Sequence, residues 1–191
     1  MTLDSKYTLV IFDADGTLRR CTVANQPCPN RDGEWELVEG VKERLALIPW
    51  KERDIRIGIA SNQAGVAAGY LSEETALDLL HDMFFEAFGF HGRHDLILIC
   101  SHSPSTACNC RKPKAGMLDC IRFEAQSSFK RTLFVGDLES DEQAARNGYV
   151  DFMWAWDFFG KTKEEWVGWL ARRAEEDRAK TLDEGVTSPG V

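Results

Sequence analysis

Short apolar runs that stop at polar residues recur along the chain. The first run does not alternate apolar and polar side chains, which is typical of a strand covered on both faces, as in a parallel sheet. The pattern predicts four buried strands and a fifth strand at 149–154. The four runs are TLVIF (8–12), IRIGIA (55–60), LILIC (96–100) and TLFV (132–135).

Helical patterns separate these runs. They cover 41–48, 72–88, 116–125 and 138–147, the last closed by Gly148. Strands that alternate with helices predict an α/β fold with a doubly wound, Rossmann-like parallel sheet, in one domain over residues 1–171.

The two remaining stretches are predicted to be less regular. Residues 18–40 contain prolines, glycines and asparagines, and we expect a long loop with a small hairpin. Residues 172–191 are charged, and we expect a frayed helix followed by disorder. The helix before them should be anchored to the core by Trp166, Val167, Trp169 and Leu170.

Composition narrows the class of protein. The chain has 191 residues, 43% of them hydrophobic, which is enough for one compact core. A net charge of -8 without a basic run argues against nucleic-acid and membrane-surface binding. There is no signal segment and no apolar run near the length of a membrane span, so we expect a cytoplasmic protein. Its six cysteines should then be reduced or bound to metal. We expect the protein to be a monomer.

The residues DADGT at 13–17 allow three interpretations. Asp-Gly between apolar stretches is a hairpin signal. A calcium loop of the EF-hand type would place glycine five residues after the first acid and glutamate eleven after it. Here Gly16 comes three residues after Asp13, and the residue eleven after Asp13 is Ala24. Polar residues end all four strands, and ligands bind at that edge of such sheets, so an active site is favoured.

Three aspartates at this edge would repel one another without a cation. Asp13, Asp15 and Asp137 follow two of the predicted strands, and carboxylates suit Mg²⁺. One carboxylate can attack phosphorus while another donates and accepts protons. Fixed donors must then neutralise the transferring phosphoryl group. The candidates are Lys112, Ser61 and Asn62. For Lys112, the alternative is an ordinary lysine exposed at the surface.

Two short pairs, Cys100-x-His102 and Cys108-x-Cys110, enclose a turn-prone span. Alternate side chains of an extended segment point the same way, so three thiolates and an imidazole can form a closed tetrahedral site for a structural Zn²⁺ in the loop 100–110. Ordinary reduced cysteines are the alternative. The other three cysteines have no partner at ligand spacing and receive no role: Cys21, Cys28 and Cys120.

Four motifs taken together resemble those of haloacid dehalogenase (HAD) superfamily phosphatases. They are DxDGT (13–17), SNQ (61–63), CRKPKAGM (110–117) and GDLESD (136–141). The resemblance is strongest to the group of heptose-bisphosphate and histidinol-phosphate phosphatases, in which the CxH…CxC loop is also found. Ala14 stands where that group often has arginine, and the loop 18–40 departs from its pattern.

The resemblance implies a role for each motif residue. Asp13 would be the nucleophile and Asp15 the general acid and base, and Lys112 would orient Asp13. Mg²⁺ would be held by Asp13, the backbone carbonyl of Asp15 and Asp137, with Asp141 behind these ligands. The residues implied to bind phosphate or substrate are Ser61, Asn62, Gln63 and Arg111.

The resemblance also implies a phosphatase without a cap domain and with an open pocket. We expect it to act on a small phosphorylated metabolite, first of all a sugar bisphosphate such as a heptose 1,7-bisphosphate. The alternatives are histidinol phosphate, a nucleotide or a polynucleotide end, and a HAD-like binding protein without activity. Four arginines lie on loops expected near the pocket and could hold a second phosphate, although the first three could be solvated: Arg19, Arg20, Arg31 and Arg111.

Overall fold

A computed structural model describes residues 3–185, with side chains to residue 182. Five parallel strands form the central sheet. In their order across the sheet, they are β5 (Ile97–Cys100), β4 (Arg56–Asn62), β1 (Leu9–Phe12), β6 (Thr132–Gly136) and β7 (Asp151–Trp154). This arrangement confirms the predicted α/β fold.

The central strand β1 is covered on both faces. Its four side chains are fully buried. Val10 and Phe12 belong to one apolar cluster, while Leu9 and Ile11 belong to the other. Because both faces of the strand are apolar, the alternation that marks a half-exposed strand is absent from its sequence.

Seven helices surround the sheet within the described residues. Sequence patterns predicted the helices at 41–46, 73–88, 116–124 and 139–147 within two residues at each end. They missed the short helices at 64–67 and 155–159, which have few residues to show a period. Their bounds are α1 (Val41–Ala46), α2 (Ala64–Ala67), α3 (Glu73–Phe88), α4 (Gly116–Glu124), α5 (Glu139–Asn147), α6 (Ala155–Phe159) and α7 (Lys163–Gly185).

Local signals set the bounds of α3. The Ser72 hydroxyl accepts a hydrogen bond from the Thr75 backbone N–H at 3.0 Å, which caps the first turn. Gly89 ends the helix in the left-handed conformation with φ of 74°, a conformation that glycine adopts without strain.

A small antiparallel hairpin lies beside the main sheet, as expected within residues 18–40. It pairs β2 (Arg19–Cys21) with β3 (Trp35–Leu37). The connecting residues 22–34 extend over the carboxyl edge of the main sheet, where Ala24, Asn25 and Asn30 line a cavity.

The last helix differs from the frayed segment expected after residue 171. It is continuous to Gly185, and Arg173 and Asp177 bind Glu36 and Arg20 of the hairpin. These long-range ion pairs hold the helix where its own sequence shows only a charged surface. The expected disorder of 186–191 lies outside the described residues.

Of the four predicted anchors in α7, three contact the core. Trp166 is buried, and Trp169 and Leu170 are partly buried against the same cluster. The prediction is wrong for Val167, which is 49% exposed, because one residue along a helix turns the side chain about 100° away from Trp166. Across residues 3–185, none of the helices has both the length and the apolar content that crossing a membrane requires.

Candidate active site

The polar residues that end the strands meet at one edge of the sheet. Asp13 follows β1, Ser61 and Asn62 end β4, and Asp137 follows β6. Because these strands are parallel neighbours, their carboxyl ends share an edge. A cavity of about 850 Å³ opens there. Its wall includes the predicted residues Asp13, Asp15, Ser61, Asn62, Arg111, Lys112 and Asp141.

A buried lysine lies between two of the acids. The Lys112 ammonium contacts Asp13 Oδ1 and lies 2.8 Å from Asp141 Oδ1. Burial alone would lower the pKa of Lys112, but the charges of Asp13 and Asp141 outweigh it and raise that pKa above its ordinary value. The lysine therefore stays protonated and keeps its charge beside Asp13.

Three carboxylates crowd this point. Oxygens of Asp13, Asp137 and Asp141 lie within 4.8 Å of one another. Burial raises the pKa of Asp13 well above its usual value, and burial together with Asp141 raises the pKa of Asp137 to about 6. Among the described residues, buried Asp13 Oδ2 has no hydrogen-bond partner. Three acids that share one lysine and leave a free oxygen form a donor set that fits a hard divalent cation such as Mg²⁺.

Gly16 and Thr17 of the first motif hold Asp137. The Thr17 hydroxyl donates to Asp137 Oδ1 at 2.9 Å. Gly16 has a φ of 97°, and a Cβ on it would lie 2.8 Å from Asp137 Cγ. The glycine is therefore required both by the backbone conformation and by the close approach of the carboxylate.

Asp15 is oriented by two buried side chains. Arg19 Nε donates to Asp15 Oδ1 at 2.8 Å, and Gln63 Nε2 donates to Asp15 Oδ2 at 2.8 Å. Gln63 also donates to the Ser61 hydroxyl at 2.7 Å and is fully buried. Gln63 does not line the cavity, so its structure supports a role in orienting Asp15 and not the contact with phosphate implied by the resemblance.

The Asn62 side chain is paired with the backbone of Lys112. Asn62 Nδ2 donates to the Lys112 carbonyl at 3.1 Å, and Asn62 Oδ1 accepts from the Lys112 N–H at 3.1 Å. The amide therefore positions the loop that carries Lys112, here called the lysine loop. Asn62 also reaches the cavity wall.

Of the four arginines expected near the pocket, one lines it. Arg19 is fully buried and bonds Asp15 and the Leu79 carbonyl, and Arg20 is buried against Glu36 and Asp177. The prediction that these two arginines face the pocket is wrong, because both form hydrogen bonds with buried or partly buried groups inside the protein. Arg31 is 82% exposed and pairs with Glu34, so Arg111 is the arginine that lines the cavity.

The cysteine and histidine pairs converge beside the catalytic edge. Cys100 Sγ lies 3.4 Å from Cys110 Sγ and 3.7 Å from Cys108 Sγ, and His102 Nδ1 lies 3.2 Å from Cys110 Sγ. A tetrahedron with the usual Zn–S and Zn–N bond lengths has edges of about 3.5–3.8 Å. The four donors therefore fit a Zn²⁺ ion, and Arg111 and Lys112 follow the last cysteine directly.

Sequence reasoning missed one wall of the cavity. It is formed by loop residues 24–28 and Asn30, by Ala64, Gly65 and Ala68 around α2, and by Tyr70, Leu138 and Ser140. The length of the loop after the first motif was the available signal, but nothing in its composition indicates which side chains face the cavity.

A doubly wound sheet that carries an aspartate pair, a buried lysine and a carboxylate cluster at one edge defines a phosphoryl-transfer hydrolase. A family model described as polynucleotide kinase 3 phosphatase matches residues 8–163. The chain is 31% identical over 138 residues to a D-glycero-beta-D-manno-heptose-1,7-bisphosphate 7-phosphatase of Pseudomonas putida, which covers 72% of the chain and 75% of that protein.

Two further comparisons agree with this class. The chain is 30% identical over 150 residues to the histidine biosynthesis bifunctional protein HisB of Legionella pneumophila, covering 76% of the chain and 40% of that protein. It superposes with a TM-score of 0.60 on the crystal structure of the D,D-heptose 1.7-bisphosphate phosphatase from B. bronchiseptica, complexed with magnesium and phosphate. That match has 30% identity and covers 76% of this chain and 78% of the other. The chain belongs to the HAD superfamily of phosphatases and is a phosphoric monoester hydrolase.

Proposed function

We propose that this hydrolase is a Mg²⁺-dependent phosphomonoesterase that works through an aspartyl-phosphate on a small phosphorylated metabolite. The observation that carries the proposal is the unpartnered oxygen of Asp13. It is a buried carboxylate oxygen of a cavity-lining residue whose other oxygen is held by Lys112. Within the described residues, no hydrogen bond to this oxygen competes with its attack on a phosphorus atom.

The residues support a two-step displacement. Asp13 attacks phosphorus and forms a bond to it while the bond from phosphorus to the leaving oxygen breaks, and Asp15 gives that oxygen its proton. Asp15 then takes a proton from water, the water oxygen attacks phosphorus, and Asp13 is released as a carboxylate. Arg19 and Gln63 hold Asp15 in one orientation for both transfers.

Charge on the phosphoryl group is met by fixed groups. Lys112 supplies a buried positive charge, and Ser61 and Asn62 lie at the end of the neighbouring strand. Asp13, Asp137 and the backbone carbonyl of Asp15 would hold Mg²⁺, which when bound neutralises the phosphoryl oxygens and the crowded carboxylates. Magnesium and phosphate in the B. bronchiseptica structure support this assignment.

For the substrate we propose a sugar bisphosphate, of which a heptose 1,7-bisphosphate is the first choice. Heptose-bisphosphate phosphatases are similar to the chain over about three quarters of its length. Arg111 supports the proposal, because it is the cation on the cavity wall besides Lys112 and its planar fork suits a second phosphate. Similarity to HisB supports histidinol phosphate as a second candidate.

A polynucleotide end is less favoured. The family description names such a substrate, but a nucleic-acid backbone requires a row of basic side chains. The cavity wall offers Arg111 and Lys112 against Asp13, Asp15 and Asp141.

We also propose that the cluster of Cys100, His102, Cys108 and Cys110 holds a structural Zn²⁺. All four positions carry protein ligands, which leaves no open position for substrate. The ion would shape the loop that leads into Arg111 and Lys112.

The test of substrate class compares a sugar bisphosphate with its monophosphate in the presence of Mg²⁺. We expect a higher kcat/KM for the bisphosphate, and Arg111→Ala should reduce that preference more than it slows hydrolysis of p-nitrophenyl phosphate, which lacks a second phosphate. Arg93→Ala is the matched control, because this arginine is exposed, pairs with Asp95 and precedes β5 at the opposite edge of the sheet.

Two outcomes count against the proposal in different ways. Equal efficiency on both sugars, or an equal loss on both substrates in the Arg111 variant, would move histidinol phosphate or a nucleotide ahead. Phosphate release that is unaffected by EDTA would contradict the metal-dependent mechanism itself.

A further inference from the structure

The last helix contacts the catalytic loop through a hydrogen bond from a buried tryptophan. Trp166 of α7 is 1% exposed, and its indole Nε1 donates to the Gly16 carbonyl at 3.0 Å. Gly16 belongs to the loop that follows Asp13, 150 residues earlier in the chain. Trp166 lies beyond residue 163, where the match to the family model ends.

The Gly16 carbonyl lies between Asp15 and the residues that contact Asp137. Gly16 follows Asp15, and its Cα approaches the Asp137 carboxylate too closely to admit a Cβ. The next residue, Thr17, donates to Asp137. A shift of the Gly16 peptide would therefore move Asp15 and the support of Asp137 together.

The indole that makes this bond is itself held in place. Its ring stacks on Phe159 of α6 with centroids 5.3 Å apart and planes 7° from parallel. Arg20, at the far end of the same segment, bonds Asp177 of α7 at 2.6 Å. The helix thus contacts both ends of residues 16–20 through groups with little freedom to rotate.

We infer that Trp166 is a positioning residue of the active site. Its N–H fixes the Gly16 peptide, and through it the relation between Asp15 and the carboxylates around Asp13. The inference rests on the proposed roles of these aspartates. It assigns to α7 a part in turnover in addition to packing.

The test replaces Trp166 by Phe, which keeps an aromatic ring beside Phe159 but removes the N–H. We expect kcat on p-nitrophenyl phosphate to fall about tenfold with little change in KM, because the Gly16 carbonyl loses its donor where the reacting groups are aligned. Binding of Mg²⁺ without substrate, measured by titration calorimetry, should weaken several-fold.

Trp50→Phe is the matched control. Trp50 is also buried and also donates its indole N–H to a backbone carbonyl, that of Leu45 at 2.9 Å, beside α1. This variant should lose a similar amount of thermal stability while kcat and Mg²⁺ affinity stay within twofold of the wild type. A role of Trp166 in packing alone would make the two variants kinetically alike, and that result would overturn the inference.

A second variant covers the case in which Trp166→Phe does not fold. Phe159→Leu retains the indole N–H but removes the ring against which it is stacked, and it should lower kcat and Mg²⁺ affinity in the same direction to a smaller extent. Wild-type kcat and Mg²⁺ affinity in a folded Phe159→Leu protein would also overturn the inference. Absence of phosphatase activity in the wild type would instead contradict the proposed function.

Discussion

Asp13 is a buried carboxylate whose ionised form is opposed by its surroundings. Burial is the main cause of its raised pKa, and Asp137 and Asp141 add to it, while Lys112 acts in the opposite direction. The same surroundings that make this residue unfavourable for folding make it suited to bind a cation and a phosphoryl group. Stability and function are therefore opposed at this position.

Asp13→Asn separates these two effects. We expect turnover of p-nitrophenyl phosphate to fall below detection, because an amide is not a nucleophile for phosphorus and is a poor magnesium ligand. The melting temperature of the metal-free variant should equal or exceed that of the metal-free wild type, since a repelled buried charge is removed at almost constant volume. Calorimetry in EDTA measures the second effect, and wild-type turnover in the variant would refute the assignment of Asp13 as nucleophile.

At the scale of elements, the loop 100–110 connects β5 to the lysine loop. Cys100 is buried at the end of the strand, and Cys110 directly precedes Arg111 and Lys112. The donor atoms of the cluster already lie at distances that a tetrahedral ion would bridge. A metal in this loop would therefore fix the approach of Lys112 to Asp13 from outside the cavity.

Cys108→Ser tests the loop as a metal-binding element. The purified wild type should contain about one Zn²⁺ per chain, and the variant should lose the ion and several degrees of melting temperature, since a structural metal contributes folding free energy. Cys120→Ser is the control, because Cys120 is exposed on α4 outside the cluster. Elemental analysis that finds no zinc in wild-type protein purified without chelators would contradict this prediction.

A second element, the loop between β2 and β3, is organised by one buried carboxylate. Glu34 accepts hydrogen bonds from Gln26 Nε2 and the Asn30 N–H, both at 2.9 Å, and from Arg31 Nε at 2.6 Å. Burial opposes its ionisation, but these donors prevail and lower the pKa of Glu34. The cavity wall formed by this loop is therefore held in one shape before substrate arrives.

Glu34→Gln should loosen that wall without altering the catalytic edge. We expect KM for a sugar bisphosphate, the proposed substrate, to rise several-fold. The new amide would replace one acceptor oxygen of Glu34 by a donor that faces other donors. The kcat for p-nitrophenyl phosphate, a small substrate, should stay within about twofold of the wild type. Glu39→Gln, at an exposed position outside this loop, is the control. A parallel loss of kcat on both substrates would show that the loop acts on chemistry and not on binding.

At the scale of the whole molecule, local patterns account for the sheet and its active edge. Each buried run ends at polar residues within a few positions, so the strands and the residues at their ends could be predicted together. Asp13 and Ser61 were found this way, whereas the role of Lys112 was implied by the motif CRKPKAGM at 110–117. The structure brings all three to one cavity. Their roles follow from chemistry that the spacing of residues already expresses.

Contacts between distant parts of the chain could not be predicted in the same way. Arg20 and Asp177 are 157 residues apart, and Trp166 and Gly16 are 150 apart. The sequence around a loop arginine looks the same whether the side chain faces solvent, a pocket or a buried acid. The directions of Arg19 and Arg20 are therefore set by partners that no local pattern identifies.

The network between α7 and the hairpin makes the last helix part of the folded unit. Arg20 and Asp177 have side chains 7% and 9% exposed, whereas Arg173 and Glu36 are 29% and 33% exposed. Loss of a partner from a buried pair leaves an uncompensated charge, while a half-exposed pair is replaced by water at little cost. The two pairs should therefore contribute unequally.

Asp177→Asn and Arg173→Ala test this difference. We expect Asp177→Asn to lower the free energy of unfolding by about 2 kcal/mol, less than a fully isolated buried charge because Arg20 keeps Glu36. Arg173→Ala should cost about 1 kcal/mol, and Arg172→Ala, at an exposed neighbouring position, close to zero. Urea denaturation followed by tryptophan fluorescence should show one transition for every variant. If residues after 171 formed a tail independent of the domain, Asp177→Asn would leave the urea midpoint unchanged, and the helix would have no part in the stability of the sheet.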